Sequence, residues 1–162
     1  MDRSEQLENE LVDRFYHDVD NLRTPKTGVF FDVAPLPECE SDFKQGIKPK
    51  VYVMYDNSDY PESENLNMVV QEDKMKFGFE IHARTRRGDN GVFAVKQMII
   101  AFILGYKPKG CDKFQLVSFS PLQGGAPNHW MYYVQFITTS HIAESLPDVV
   151  EDEPLLNTVN IV

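Results

Sequence analysis

Between Met75 and Gly110 the chain changes hydrophobic period once, and that change restricts what it can build. Residues 75–82 alternate, so Met75, Phe77, Phe79 and Ile81 fall on one face of a strand and Lys76, Gly78, Glu80 and His82 on the other. From Val92 to Leu104 the period becomes helical, with Val92, Val95, Met98, Ile99, Phe102 and Ile103 predicted to be buried. A basic, turn-forming run, Arg84-Thr85-Arg86-Arg87-Gly88-Asp89-Asn90-Gly91, lies between them. Asp89 or Asn90 is the predicted N-cap and Gly105 the predicted C′ residue. Gly78, inside a strand, predicts a bulge or a close backbone approach. The unit reads as scaffold and contact surface rather than as a catalytic site.

The flanking segments complete a sheet. Leu7, Leu11, Phe15, Val19 and Leu22 recur at helical spacing and predict an amphipathic helix over Glu5–Asn21, with Asp2 and Glu5 forming its capping box. Thr24-Pro25-Lys26-Thr27-Gly28 should stop it. Strands are expected at Val29–Val33, Lys50–Tyr55, Met68–Ala83 (interrupted near Glu72-Asp73), Phe114–Phe119 and His129–Thr139. The last carries Trp130, Tyr132, Tyr133 and Phe136 on both faces, so it is central or meets another subunit. Ala34–Pro49 and Asp56–Asn67 read as loops. The expected fold is α+β, a mostly antiparallel sheet with two helices packed on one face. Residues 1–142 form the domain and 143–162 an acidic C-terminal arm.

A chain of 162 residues is one domain able to bury about 70% of the surface it exposes when unfolded. No apolar run approaches the ~20 residues that cross a membrane, so no membrane partner is expected. The first residues lack the basic and apolar regions of a signal peptide. Cys39 and Cys111 fit no metal or redox spacing and read as free thiols in a reducing compartment, a disulfide between them staying open.

The charge is unevenly placed. The net is −9, yet residues 74–113 hold nine bases and three acids, and residues 114–162 hold five acids and no Lys or Arg. One reading is a solvated surface. The sharper one is complementarity between copies, a heterologous contact of the kind that closes rings or grows filaments. Overall acidity opposes tight general binding of duplex nucleic acid.

Motifs for chemistry are sparse. There is no phosphate-binding glycine loop, no G-x-S-x-G and no H-E-x-x-H, and His17, His82, His129 and His141 do not fall at metal-ligand spacing. No catalytic, metal or cofactor residue is assigned. Glu80 and His82 share a strand face and read as a surface pair. Arg87-Gly88-Asp89 reads as turn and cap rather than as an adhesion tripeptide.

From Val70 to Ser140 the chain resembles the tail terminator (tail completion) family of Mu-like contractile-tailed bacteriophages and prophages. The residues that carry the resemblance are Phe77-Gly78-Phe79-Glu80-Ile81-His82-Ala83-Arg84, Gly88-x-x-Gly91, Leu104-Gly105-Tyr106-Lys107-Pro108-Lys109-Gly110-Cys111 and Tyr132-Tyr133-Val134-Gln135-Phe136-Ile137-Thr138-Thr139-Ser140. The resemblance implies a structural virion protein at the tail–neck junction, assembled in the host bacterial cytoplasm. Such subunits form a six-fold ring on the tail tube, end tube and sheath polymerisation and meet a neck or head-completion protein. Genomic DNA passes through the lumen without specific binding. Other readings are a different neck or tail-completion protein, the cap of a phage-derived contractile injection system, or a small soluble enzyme. The residues expected at the subunit interface are Arg84, Arg86 and Arg87, Tyr106, Lys107 and Lys109 after the second helix, and Asp148, Glu151, Asp152 and Glu153 in the arm.

Overall fold

The computed structural model describes residues 1–38, 48–63, 67–122 and 127–144. Along the chain run α1 (Arg3–Asp13), β1 (Tyr16–Val19), β2 (Leu22–Pro25), β3 (Asp32–Pro35), β4 (Lys50–Asp59), β5 (Val70–Ala83), α2 (Val92–Ile103), β6 (Gln115–Pro121) and β7 (Trp130–Ala143). The fold is α+β, as the hydrophobic periods require.

The first helix is shorter than its apolar stripe. Asp2 caps it, its carboxylate accepting from the Ser4 N–H at 3.1 Å. Leu7, Leu11 and Val12 are buried, and the helix ends at Asp13 rather than running to Asn21. Phe15 stays on the stripe that Leu7 and Leu11 begin, fully buried, and meets Phe31, Phe79 and Phe102 edge-on, with ring centroids 5.8, 6.3 and 5.2 Å away. Its carbonyl accepts from the Lys26 N–H at 2.9 Å, so the backbone pairs across a hairpin from here on rather than along a helix. Asp20 and Asn21 then take positive φ, 49° and 64°, the pair of conformations that a two-residue hairpin turn demands. The result is an antiparallel hairpin, β1–β2, whose Val19 and Leu22 are 52% and 69% exposed rather than in the core. Thr24 and Pro25, expected to stop a helix, end this hairpin instead.

The main sheet has the order β3-β4-β5-β7-β6, antiparallel throughout except for the parallel pair β3–β4. Its axis is β5 against β7, each 14 residues long and paired from Val70↔Ala143 to Ala83↔Trp130. The expected break at Glu72-Asp73 is absent; both residues pair, with His141 and Ser140. Strand β4 continues past Tyr55 to Asp59, because a register shift between Tyr55 and Asn57 absorbs Asp56 as a bulge. The strand expected at Val29–Val33 lies later, at Asp32–Pro35. The aromatic strand β7 lies between β5 and β6, the central position that is one of the two readings of its bulky faces. One face of the sheet carries Val51, Val53, Met75, Phe77, Phe79, Ile81, Val134 and Phe136, all buried. Helix α1 lies against β3 and β4, and α2 against β5 and β7.

The two edges of the sheet differ. Asp32 and Leu36 donate toward the β4 side, to the carbonyls of Pro49 and Val53, so the backbone N–H and C=O of Val33 point away from β4 while its side chain is buried. The Tyr16 hydroxyl accepts from the Val33 N–H at 2.9 Å and donates to its carbonyl at 3.1 Å. A side chain thus satisfies the edge that a strand would otherwise pair with. Strand β6 at the other edge is exposed along nearly its whole length, including Leu116 and Val117.

Gly78 marks a close approach, not a bulge. A Cβ at this position would overlap the ring and hydroxyl of Tyr133, which crosses it from β7. That hydroxyl donates to Asp56 in the β4 bulge, and Gln135 Nε2 donates to the same carboxylate at 2.8 Å. Burial first, and the bond to Asp56 second, push the Tyr133 phenol above its ordinary range. Gly78→Ala should therefore displace Tyr133 and cost about 1–3 kcal/mol, the usual penalty for an overpacked site. Chemical denaturation measures it, and Tyr133→Ala in the same chain should recover most of the space-dependent part.

Candidate assembly surface

The arginine turn is built by the start of α2. Val92 N–H donates to Thr85 O at 3.0 Å, Phe93 N–H to Arg86 O at 3.1 Å and Gly91 N–H to Gly88 O at 3.2 Å. Backbone carbonyls, not the side chain of Asp89 or Asn90, satisfy these helix-entry donors, and Gly91 is the N-cap. Gly91 is required because a Cβ there would lie 2.6 Å from Arg87 O. Gly88, at φ +90°, makes the reversal. The turn is therefore as fixed as the helix it caps.

The three arginines have separate fates. Arg84 and Arg87 are exposed. Arg86 lies between two rings, its guanidinium carbon 5.6 Å from the centroid of Phe93 and 5.2 Å from that of Trp130. Its Nε is buried with no hydrogen-bond partner among the described residues. The aromatic faces supply the attraction, about 0.5–2 kcal/mol per cation–π contact. Arg86 is thus pinned within the subunit and organises the surface on which Arg84 and Arg87 stand. Trp130, 43% exposed, pairs with Ala83, the residue before Arg84.

The loop after α2 is held as firmly. Gly105 takes φ +79° as the predicted C′ residue. Its N–H donates to Phe114 O at 2.9 Å, and Phe114 N–H donates to Tyr106 O at 2.8 Å. The Tyr106 ring stacks on Phe114 and carries the Arg14 guanidinium at 4.2 Å. Its hydroxyl donates to Glu10 at 3.2 Å, and Arg14 Nη2 donates to Phe102 O at 2.9 Å. Burial, then the Glu10 charge, raise the Tyr106 phenol above its usual value. Tyr106 is thus a clasp between α1 and the end of α2, while Lys107 and Lys109 are exposed on either side of buried Pro108. The expected interface residues form two patches, at opposite ends of a 12-residue helix that is about 18 Å long by its rise per residue.

A third group lies on the sheet face away from the helices. His82 Nε2 is 2.8 Å from Glu80 Oε1, and His82 Nδ1 is 2.8 Å from His129 Nε2. Tyr52 meets His82 edge-on at 5.3 Å. The Glu80–His82 adjacency follows from the strand period, but the pair is largely shielded rather than a solvated surface pair. His129, 47 residues away, has no local signal that would connect it.

Among the described residues no group of three or more His, Cys, Asp or Glu can hold a metal, and no helix is long and apolar enough to cross a membrane. Cys111 is a buried free thiol, while Cys39 lies outside the described residues. Asp148, Glu151, Asp152 and Glu153, the expected arm contacts, also lie outside them.

The model of the Gp37 protein family matches residues 24–161, from β2 onward. The chain belongs to this phage-related family. No curated protein matches it. The Gp37 match takes in the main sheet, the arginine turn, α2 and the Lys107–Lys109 loop, and leaves α1 and the tip of the β1–β2 hairpin ahead of it. The phage assignment of the sequence resemblance thus holds at the level of the family.

Burial first, and His82 second, lower the His129 pKa from 6.5, with Glu80 opposing. The fold thus favours neutral His129. The stability tied to it is complete above about pH 6.5 and declines as the pH falls from there toward the folded value. Melting temperature should drop between about pH 7.5 and about pH 5.5, and less so in His129→Gln. Parallel curves for the two proteins would contradict this.

Proposed function

We propose that this chain is a structural tail protein, a terminator that closes into a ring on the end of a contractile tail tube. The observation that carries the reading is the placement of charge. Arg84, Arg87, Lys107 and Lys109 stand exposed on two rigid loops at the ends of α2, in a molecule whose net charge is −9. The residues that hold these loops, Arg86 and Tyr106, are spent on contacts within the subunit. The exposed bases are left to meet acidic surface on another copy or on a tail partner, which gives specificity and register. Membership of a phage-related family supports the same reading.

In this reading the protein acts by shape and charge, without catalysis or cofactor. Its ring has six copies, ends tube and sheath growth and presents a face to the neck protein. An acidic lumen would repel duplex DNA and let it pass without sticking. The working location is the tail–neck junction of the virion.

Electron microscopy of the purified protein, alone and with tail tubes, tests this. Rings, free or on tube ends, are expected. A protein that stays monomeric and leaves tubes bare and growing would overturn the reading. Arg84→Glu with Arg87→Glu should weaken association at least tenfold while leaving the monomer's melting temperature within about 2 °C, since exposed charges contribute little to folding. Added salt should weaken wild-type association in the same direction.

A further inference from the structure

The β1–β2 hairpin stands apart from the main sheet as a separate two-stranded unit. Its tip, Asp18-Val19-Asp20-Asn21-Leu22, is exposed at every residue and combines two carboxylates with two bare apolar side chains. Arg23, opposite Asp18 in the hairpin register, turns back to Asp13 and lies over Tyr16 at 4.7 Å. The base of the hairpin is tied to the β3 edge by the Tyr16 hydroxyl.

The complementary surface lies toward the other edge. Trp130 begins β7 opposite Ala83, with the Arg86 guanidinium over its ring; Arg84 follows Ala83 and Arg87 follows Arg86 in the chain, and both are exposed. Phe93 links this patch to Phe119 on β6, the outermost strand. From β3 to β7 is three strand spacings, about 14 Å in the hydrogen-bonding direction. One subunit thus carries an acidic, apolar projection toward one side and a basic, aromatic floor toward the other. Trp and Arg are the residues that most often dominate protein interfaces.

We infer that the β1–β2 hairpin of one copy docks on the Trp130–Arg84–Arg87 floor of the next. Val19 and Leu22 cover the exposed part of the indole, and Asp18 and Asp20 meet Arg84 and Arg87. The contact is heterologous, since the hairpin and the floor are different surfaces, and repetition of it yields a ring or a filament. The inference rests on the self-association proposed above and adds the partner segment. It is made for this chain rather than for the family, because the hairpin tip precedes the matched segment.

Two variants with exchanged charge test it. In the first, Asp18→Arg and Asp20→Asn make the tip basic; Asn keeps the positive φ at residue 20 accessible. In the second, Arg84→Asp and Arg87→Asp make the floor acidic. Each variant alone should lose association at least tenfold, measured by sedimentation. Their equimolar mixture should assemble, because the basic tip fits the acidic floor and the unaltered tip fits the unaltered floor. Trp130 is the only tryptophan of the chain, so its emission reports the contact directly. It should shift to the blue when wild-type protein or the mixture assembles, and Leu22→Ser should reduce that shift. Wild-type rings whose Trp130 emission stays that of the free subunit, or tip variants that assemble like wild type, would overturn the docking inference and leave the ring reading standing. Wild-type protein that never associates, with or without tubes, would overturn both.

Discussion

Phe15 holds the two halves of the structure together. It stands where α1 ends, fully buried, with its ring edge-on to Phe31 ahead of β3, Phe79 on the central strand β5 and Phe102 on α2. An aromatic side chain buries a large apolar area, and edge-to-face pairs add about 0.5–1.5 kcal/mol each beyond that burial. Just here the backbone leaves the helix: the Phe15 carbonyl accepts from the Lys26 N–H at 2.9 Å, and residues 16–25 form the projecting hairpin. The same burial brings Arg14 against the end of α2, where it donates to Phe102 O and covers Tyr106. One buried phenylalanine thus joins the end of α1, the sheet and α2 at the point where the hairpin departs, beside the clasp that fixes the Lys107–Lys109 loop.

Much of this was legible in the residues. The alternation from Met75 to His82 and the helical spacing from Val92 to Ile103 are strong because each element buries one face only, and both formed where expected. The density of aromatics in residues 130–136 allows a central strand or a face against another subunit, and β7 takes the central place between β5 and β6. The failure at the first helix is instructive. Leu7, Leu11, Phe15, Val19 and Leu22 make an unbroken helical stripe, but periodicity does not register that Asp20-Asn21 is also a good hairpin turn. Both alternatives bury Phe15; the chain takes the hairpin, with Asp20 and Asn21 at positive φ and the Phe15 carbonyl paired to the Lys26 N–H. The bulge at Asp56 was equally hidden, because it depends on Tyr133 and Gln135, 77 and 79 residues away.

The interface residues divide along a physical line. Sequence composition identifies a basic cluster, but it does not separate charges that serve the fold from charges that face outward. Arg86 and Tyr106 belong to the first kind, held by rings and by Glu10. Arg84, Arg87, Lys107 and Lys109 belong to the second. The rigid members give the free ones fixed positions, which lowers the ordering cost of a contact. Trp130 belongs to an aromatic strand, but as its first residue it lies at the rim, where it supports Arg86 and remains open to a partner.

In the proposed ring, copies of this chain meet through two different surfaces and close on themselves. Native mass spectrometry of the protein assembled at low salt tests that claim most directly. A closed heterologous ring predicts one dominant species at six times the subunit mass, with little dimer at any concentration. A stable dimer that persists as the end point would indicate a two-fold, self-complementary contact and would contradict the account.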